Sequence, residues 1–75
     1  MVGKLYLHTD TSRLYEVVAL IWDGVADTWA VLHKDVDDNN PVMFTRSLRN
    51  FTGRARDGNT YRFIEVKNRP RNTYD

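Results

Sequence analysis

The chain has no cysteine among its 75 residues. Disulfides, thiolate nucleophiles and cysteine-ligated zinc are therefore excluded. Long apolar runs are missing too. The longest nearly apolar stretch is Val17-Val18-Ala19-Leu20-Ile21-Trp22, far too short to span a bilayer. No apolar segment follows Met1-Val2-Gly3-Lys4, so no signal peptide is visible and a cytoplasmic location is expected. Without a secretion signal, the acceptor pattern Asn50-Phe51-Thr52 reads as a chance match. There is no Walker loop, no Gly-x-Gly-x-x-Gly and no Gly-x-Ser-x-Gly setting for Ser12 or Ser47. A chain this small also has little wall with which to exclude water from a reacting centre. No enzyme and no cofactor are expected.

What is present is the composition of a small globular domain: 41% hydrophobic, 12% aromatic and 28% charged. Such a chain buries about 60% of the surface its unfolded form exposes. Its stability would be about 4–11 kcal/mol, at roughly 0.05–0.15 kcal/mol per residue. Net charge is only +1 but unevenly spread. Residues 1–45 carry Lys4, Arg13 and Lys34 against Asp10, Glu16, Asp23, Asp27, Asp35, Asp37 and Asp38, a net of −4. Residues 46–71 carry seven arginines and Lys67 against Asp57 and Glu65, a net of +6. Either the basic half folds against the acidic half, or it is a surface for anions.

The apolar pattern has a period of two, broken by closely spaced turn signals, which predicts short strands. Residues 3–8 form the first, followed by the turn cluster Thr9-Asp10-Thr11-Ser12. Residues 13–22, rich in Val, Ile, Tyr and Trp, form the strongest strand. It is apolar on both faces, so it belongs in the centre of a sheet. Asp23-Gly24 signals a tight hairpin, and residues 28–33 return. Residues 35–41 are a polar loop and residues 41–44 a short extended piece. Ser47 can cap a helical turn over Leu48-Arg49-Asn50, ended by Gly53. Asp57-Gly58 signals a second hairpin, which sets Arg54 near Tyr61 and Arg56 near Asn59. In that ribbon Arg54 and Arg56 share one face, as do Tyr61 and Phe63. Residues 60–66 make the last strand. The expected fold is mainly β: a small antiparallel partial barrel of five or six strands with one helical turn. Residues 1–67 form one domain and residues 68–75 a loose tail. Val17 and Trp29 are expected in the core.

Four stretches stand out together: Tyr6-Leu7-His8, Leu14-Tyr15-Glu16-Val17-Val18, Arg46-Ser47-Leu48-Arg49-Asn50-Phe51 and Tyr61-Arg62-Phe63. Through them the sequence resembles a small bacterial and phage family of unknown function. The family pattern has Lys-Gly where this chain has Thr11-Ser12, and proline where it has Ser47. The resemblance implies an SH3-like barrel and no established activity.

Binding residues are sought in the arginine-and-aromatic group Arg46, Arg49, Arg54, Arg56, Tyr61 and Arg62. Arginine and aromatic side chains make protein hot spots. They also serve single-stranded nucleic acid, through phosphate contacts and base stacking. The favoured partner is a protein, with this chain as a phage-type accessory or inhibitor. Nucleic acid comes second. A small anion such as a nucleotide, held across an oligomer interface, comes third. The histidines His8 and His33 lack a close-spaced ligand pair, so a structural or surface role is expected rather than a metal site with Asp10 or Asp35. Asp35-Val36-Asp37-Asp38-Asn39-Asn40 fails as a calcium loop, because Asn40 replaces the glycine and Arg46 the bidentate acid. The melting temperature is accordingly expected to stay unchanged in excess chelator. A fall on adding chelator, measured by circular dichroism, would point to His8, His33 or the aspartates at 35–38.

Overall fold

The computed structural model describes residues 1–39 and 42–67. The expected tail, with Pro41 and Asn40 of the loop, lies outside them. Five strands and one helical turn follow in order: β1 Leu5–His8, β2 Arg13–Asp23, β3 Thr28–Asp35, β4 Phe44–Ser47, α1 Leu48–Phe51 and β5 Phe63–Glu65. They make one open antiparallel sheet in the order β4-β3-β2-β1-β5. The expected mainly β partial barrel is therefore what the chain forms, and β2 is its central strand.

Register decides which side chains meet. Tyr6, His8, Tyr15, Val17, Val31, His33, Phe44, Arg46 and Phe63 fall on one face through the pairs Tyr6↔Tyr15, His8↔Phe63, Val17↔His33, His33↔Phe44 and Val31↔Arg46. A β-bulge between Val17 and Ala19 shifts the phase of β2. Beyond it Leu20 opposes Val31 and Trp22 opposes Trp29, so Leu20 and Trp22 join Val17 on this inner face. Strict alternation from Val17 would have chosen Ala19 and Ile21 instead.

The helical turn α1 covers the middle of that face. Ser47 caps it, its hydroxyl accepting from the Asn50 amide at 3.0 Å. The turn delivers Phe51, which stacks on Phe63 with centroids 4.0 Å apart and planes 4° apart. Tyr6 meets Phe51 edge-on at 5.2 Å. Val17, Val31, Phe51 and Phe63 form the core, with Tyr6, Tyr15, Leu48 and Met1 packed around it. Gly53 follows the Thr52 C-cap, where a Cβ would lie 3.0 Å from the Arg49 carbonyl oxygen.

Several expectations shift. β3 runs on to Asp35, since Lys34 and Asp35 pair with Glu16 and Tyr15 and Arg13 bonds the buried Asp35 carboxylate. Burial pushes that carboxyl up, but the Asp37 amide and the Arg13 guanidinium outweigh it and hold it below the ordinary aspartate value. The fourth strand starts at Phe44 and extends to Ser47, paired with residues 30–33 of β3. The β2–β3 turn is longer than a two-residue hairpin. The Asp23 carboxylate accepts from the Val25 and Ala26 amides, and Asp27, not Gly24, takes the left-handed φ of 57°. Gly58 does take a positive φ, 74°, beside Asp57, whose carboxylate accepts from the Asn59 and Thr60 amides. There the hairpin shrinks to the bridge Arg54↔Tyr61, and β5 begins only at Phe63.

The largest correction is Trp29. It is 49% exposed, and Trp22 opposite it is 53% exposed. Both lie on the inner face, but past the point where α1 and β1 cover it. Val17 is fully buried, as expected. Phe51→Ala should therefore cost about 3–5 kcal/mol, a large share of the stability of a domain this size. Trp29→Ala should cost about 1 kcal/mol, the scale of one exposed aromatic pair. Urea denaturation of both variants checks the contrast; equal losses would return Trp29 to the core.

Candidate functional site

Of the six predicted binding residues, Arg46 and Arg62 meet at Asn50 of the helical turn, and Arg54 pairs with Tyr61. Arg46 sits on the inner face of β4, its guanidinium 5.3 Å from the Phe63 centroid and bonded to the Asn50 carboxamide oxygen at 2.7 Å. Arg62 is a strut: it donates to the Asn50 carbonyl at 2.7 Å, while its backbone bonds Gly53 and Thr9. Arg49 is exposed on α1. Arg54 lies over the Tyr61 ring at 4.9 Å, and Arg56 is exposed two residues on. Arg54 and Arg56 are both exposed on either side of the buried Ala55. Tyr61 is 53% exposed, whereas Phe63 is buried in the core. Tyr61 precedes β5 and sits in the bridge to Arg54.

Among the described residues, none of these arginines forms an ion pair. The ion pairs seen are Lys4–Glu65, Arg13–Asp35 and Lys34–Glu16. Arg46, Arg54 and Arg62 meet a carboxamide, a carbonyl and rings.

Two other places carry the features of a site. The first is the β2–β3 hairpin. β1 pairs with β2 only over residues 13–16, with two further bonds at Val17. From residue 18 to residue 23, β2 pairs only with β3 among the described residues. The hairpin therefore overhangs the body and leaves one backbone edge free. On it Trp22 and Trp29 meet edge-on at 5.4 Å, next to the exposed Leu20, Ile21 and Val25.

The second is a cavity of about 270 Å³ lined by His8, Tyr15, His33, Phe44, Thr45, Arg46 and Phe63. A groove of about 440 Å³ along Lys4, Glu65 and Lys67 is larger, but it lacks an aromatic floor. In the cavity His8 stacks on Phe63 at 4.7 Å, and Tyr15 stands edge-on to His8, His33, Phe44 and Phe63. The His33 Nδ1 bonds the Val31 carbonyl at 3.0 Å. A carbonyl only accepts, so the proton sits on Nδ1 and Nε2 keeps its lone pair in the neutral ring. The His8 Nδ1 bonds the Thr11 hydroxyl at 2.9 Å. Among the described residues, Nε2 of each ring has no hydrogen-bond partner. Both rings are buried.

Burial holds both histidines below the ordinary imidazole value. Arg46 adds to this for both, as does Arg62 for His8 and His8 for His33. Asp10 acts the other way on His8, and the Val31 carbonyl on His33. No group of three or more His, Asp or Glu side chains gathers as a metal site among the described residues. No helix among them is long and apolar enough to cross a membrane.

Of the cavity's lining, the sequence singled out Arg46 as a binding residue and gave His8 and His33 only a structural or surface role; Tyr15 and Phe44 went unmarked. The signal available was the i, i+2 spacing of Tyr6 with His8 and of Val31 with His33, which puts each histidine on the face of a core residue. Comparison with known protein families, characterised proteins and solved structures finds no match to the chain.

The histidines make the fold acid-sensitive. Their folded pKa values lie below the unfolded one, so below about pH 6.5 the unfolded chain binds more protons. Stability is complete above that pH and is lost as the pH falls through the folded values. The melting temperature should drop between pH 7 and pH 5, and proton NMR titration should place both rings below 6.5. A melting temperature flat over that range, or rings titrating at 6.5 or above, would contradict the buried neutral assignment.

Proposed function

We propose that this chain is a non-catalytic protein-binding module, and that the overhanging β2–β3 hairpin is its contact surface. One observation carries the reading: two tryptophans, each about half exposed, stand together at the end of a hairpin with an unpaired edge. Tryptophan is among the residues that dominate binding energy when an interface buries it. An unpaired strand edge takes up an extended segment through its main-chain groups. Asp23 and Asp27 flank the tryptophans, so the fitting partner is an extended apolar segment with basic neighbours.

The curled five-stranded sheet with a helical turn before its last strand supports the SH3-like reading. Tyr6, His8, Tyr15, Leu48, Phe51 and Phe63, which carry the family resemblance, line the core and the cavity. The resemblance therefore supports the fold more than any partner. In this reading the chain is a phage-type accessory or inhibitor acting in the cytoplasm. Nucleic-acid binding has less support, because Arg46, Arg54 and Arg62 already engage Asn50 and the Tyr61 and Phe63 rings.

Affinity capture from host lysate with the intact chain tests this. A bound protein should survive nuclease treatment. Its affinity should fall about thirtyfold or more with Trp22→Ala or Trp29→Ala, the loss of a hot spot of roughly 2 kcal/mol. Arg54→Ala with Arg56→Ala should leave it unchanged. Capture that needs nucleic acid, or that depends on the arginines instead of the tryptophans, would reverse the reading.

A further inference from the structure

We propose that the cavity between β1, β2, β3, β4 and β5 is a binding site for a single planar anionic ring compound of nucleotide class, with the ring in the aromatic cavity and the phosphate at Arg46. The site is separate from the hairpin surface, and its reading does not depend on that one.

Four features lead there. The lining supplies aromatic side chains at the floor and rim, His8, Tyr15, His33, Phe44 and Phe63, and such surfaces hold flat rings by stacking. Phe44, 46% exposed at the mouth, is placed to cover a ring that enters. The floor carries two polar atoms, Nε2 of His8 and Nε2 of His33, with no partner among the described residues. Buried polar atoms are nearly always satisfied, and ring edges with donors and acceptors satisfy this pair. His33 Nε2 accepts when neutral; His8 Nε2 donates when Thr11 gives its proton to Nδ1.

The charge at the mouth sets the sign of the ligand. Arg46 is the one permanently charged side chain in the lining, and no carboxylate lines the cavity. One of its nitrogens is held by Asn50, which aims the rest of the planar donor fork. Arg62 adds to the positive field at His8, and Asp10 opposes it. Size sets the class. About 270 Å³ is at the lower limit of small-molecule pockets. It suits one ring with its anion outside, and a pyrimidine better than a purine.

Calorimetric titration of the full chain with uridine 5′-monophosphate tests the proposal, with uridine, ribose 5-phosphate and a ten-residue uridylate strand as separate arms. The mononucleotide should bind with a Kd of about 10–1000 μM. Uridine, lacking the anion, and ribose 5-phosphate, lacking the ring, should each bind at least tenfold more weakly. Arg46→Ala should weaken binding about tenfold or more, and Arg46→Lys should also weaken it, because ammonium cannot copy the fork. Phe44→Ala should cost about fivefold or more through lost stacking. Lys34→Ala, which removes a cation from the outer face beside Glu16, should leave affinity unchanged. In the NMR titration, saturation should raise the pKa of His8 or His33, because an anion beside them favours their charged form.

No binding of the mononucleotide at millimolar concentration would overturn the proposal. So would equal binding of uridine or ribose 5-phosphate, or an affinity indifferent to Phe44→Ala and Arg46→Ala. A strand that binds far more tightly than the mononucleotide, and depends on Arg54 and Arg56, would replace it with a nucleic-acid surface.

Discussion

The parallel stack of Phe51 on Phe63 holds the two ends of this domain together. An open sheet has one face that must be covered. Here the cover is a helical turn of four residues, far too short to be stable alone. Its local bonds are the Ser47 cap, the Thr52 hydroxyl on the Leu48 carbonyl and the Arg62 guanidinium on the Asn50 carbonyl. These hold the turn in shape, but burial of Phe51 fastens it to the sheet. The same stack presses Phe63 against His8 and so brings the edge strand β5 onto β1.

The stack covers only the middle of the inner face, and both candidate sites follow from that. On one side lies the hairpin. Its inner row passes from Val17 to Leu20 and Trp22 through the bulge and runs out beyond any covering element. On the other side lies the cavity, where His8, Tyr15 and His33 continue the core outward beneath Phe44 and Arg46. A larger helix would have buried both. The cover is small because the chain is small, and the uncovered ends are where binding surface remains.

The arginines show how composition and placement diverge. Their concentration after residue 45 is plain in the sequence, but what each guanidinium touches is not. Arg62 spends its guanidinium on a carbonyl of the helical turn, and Arg54 lies on Tyr61. Arg46 faces inward because β4 pairs with β3 in a register that sets it opposite Val31.

The sequence by itself determined the strand-rich class, the central place of residues 13–22, the Ser47 cap, the end of the turn at Gly53 and the Gly58 turn. These rest on local rules: period-two alternation, capping oxygen chemistry and the steric freedom of glycine. It also determined that Val17, Phe51 and Phe63 are apolar enough to form a core. Only the tertiary structure decided that Trp22 and Trp29 stand outside it. Their surroundings depend on where β1 stops pairing and how far α1 reaches, and neither is a local property. The bulge at Val17–Ala19 belongs to the same class, since one extra residue exchanges the two faces without marking the alphabet. The cavity was hidden for a related reason. Its residues come from five strands spread between positions 8 and 63, and only the antiparallel register brings two histidines, a tyrosine and an arginine around one space.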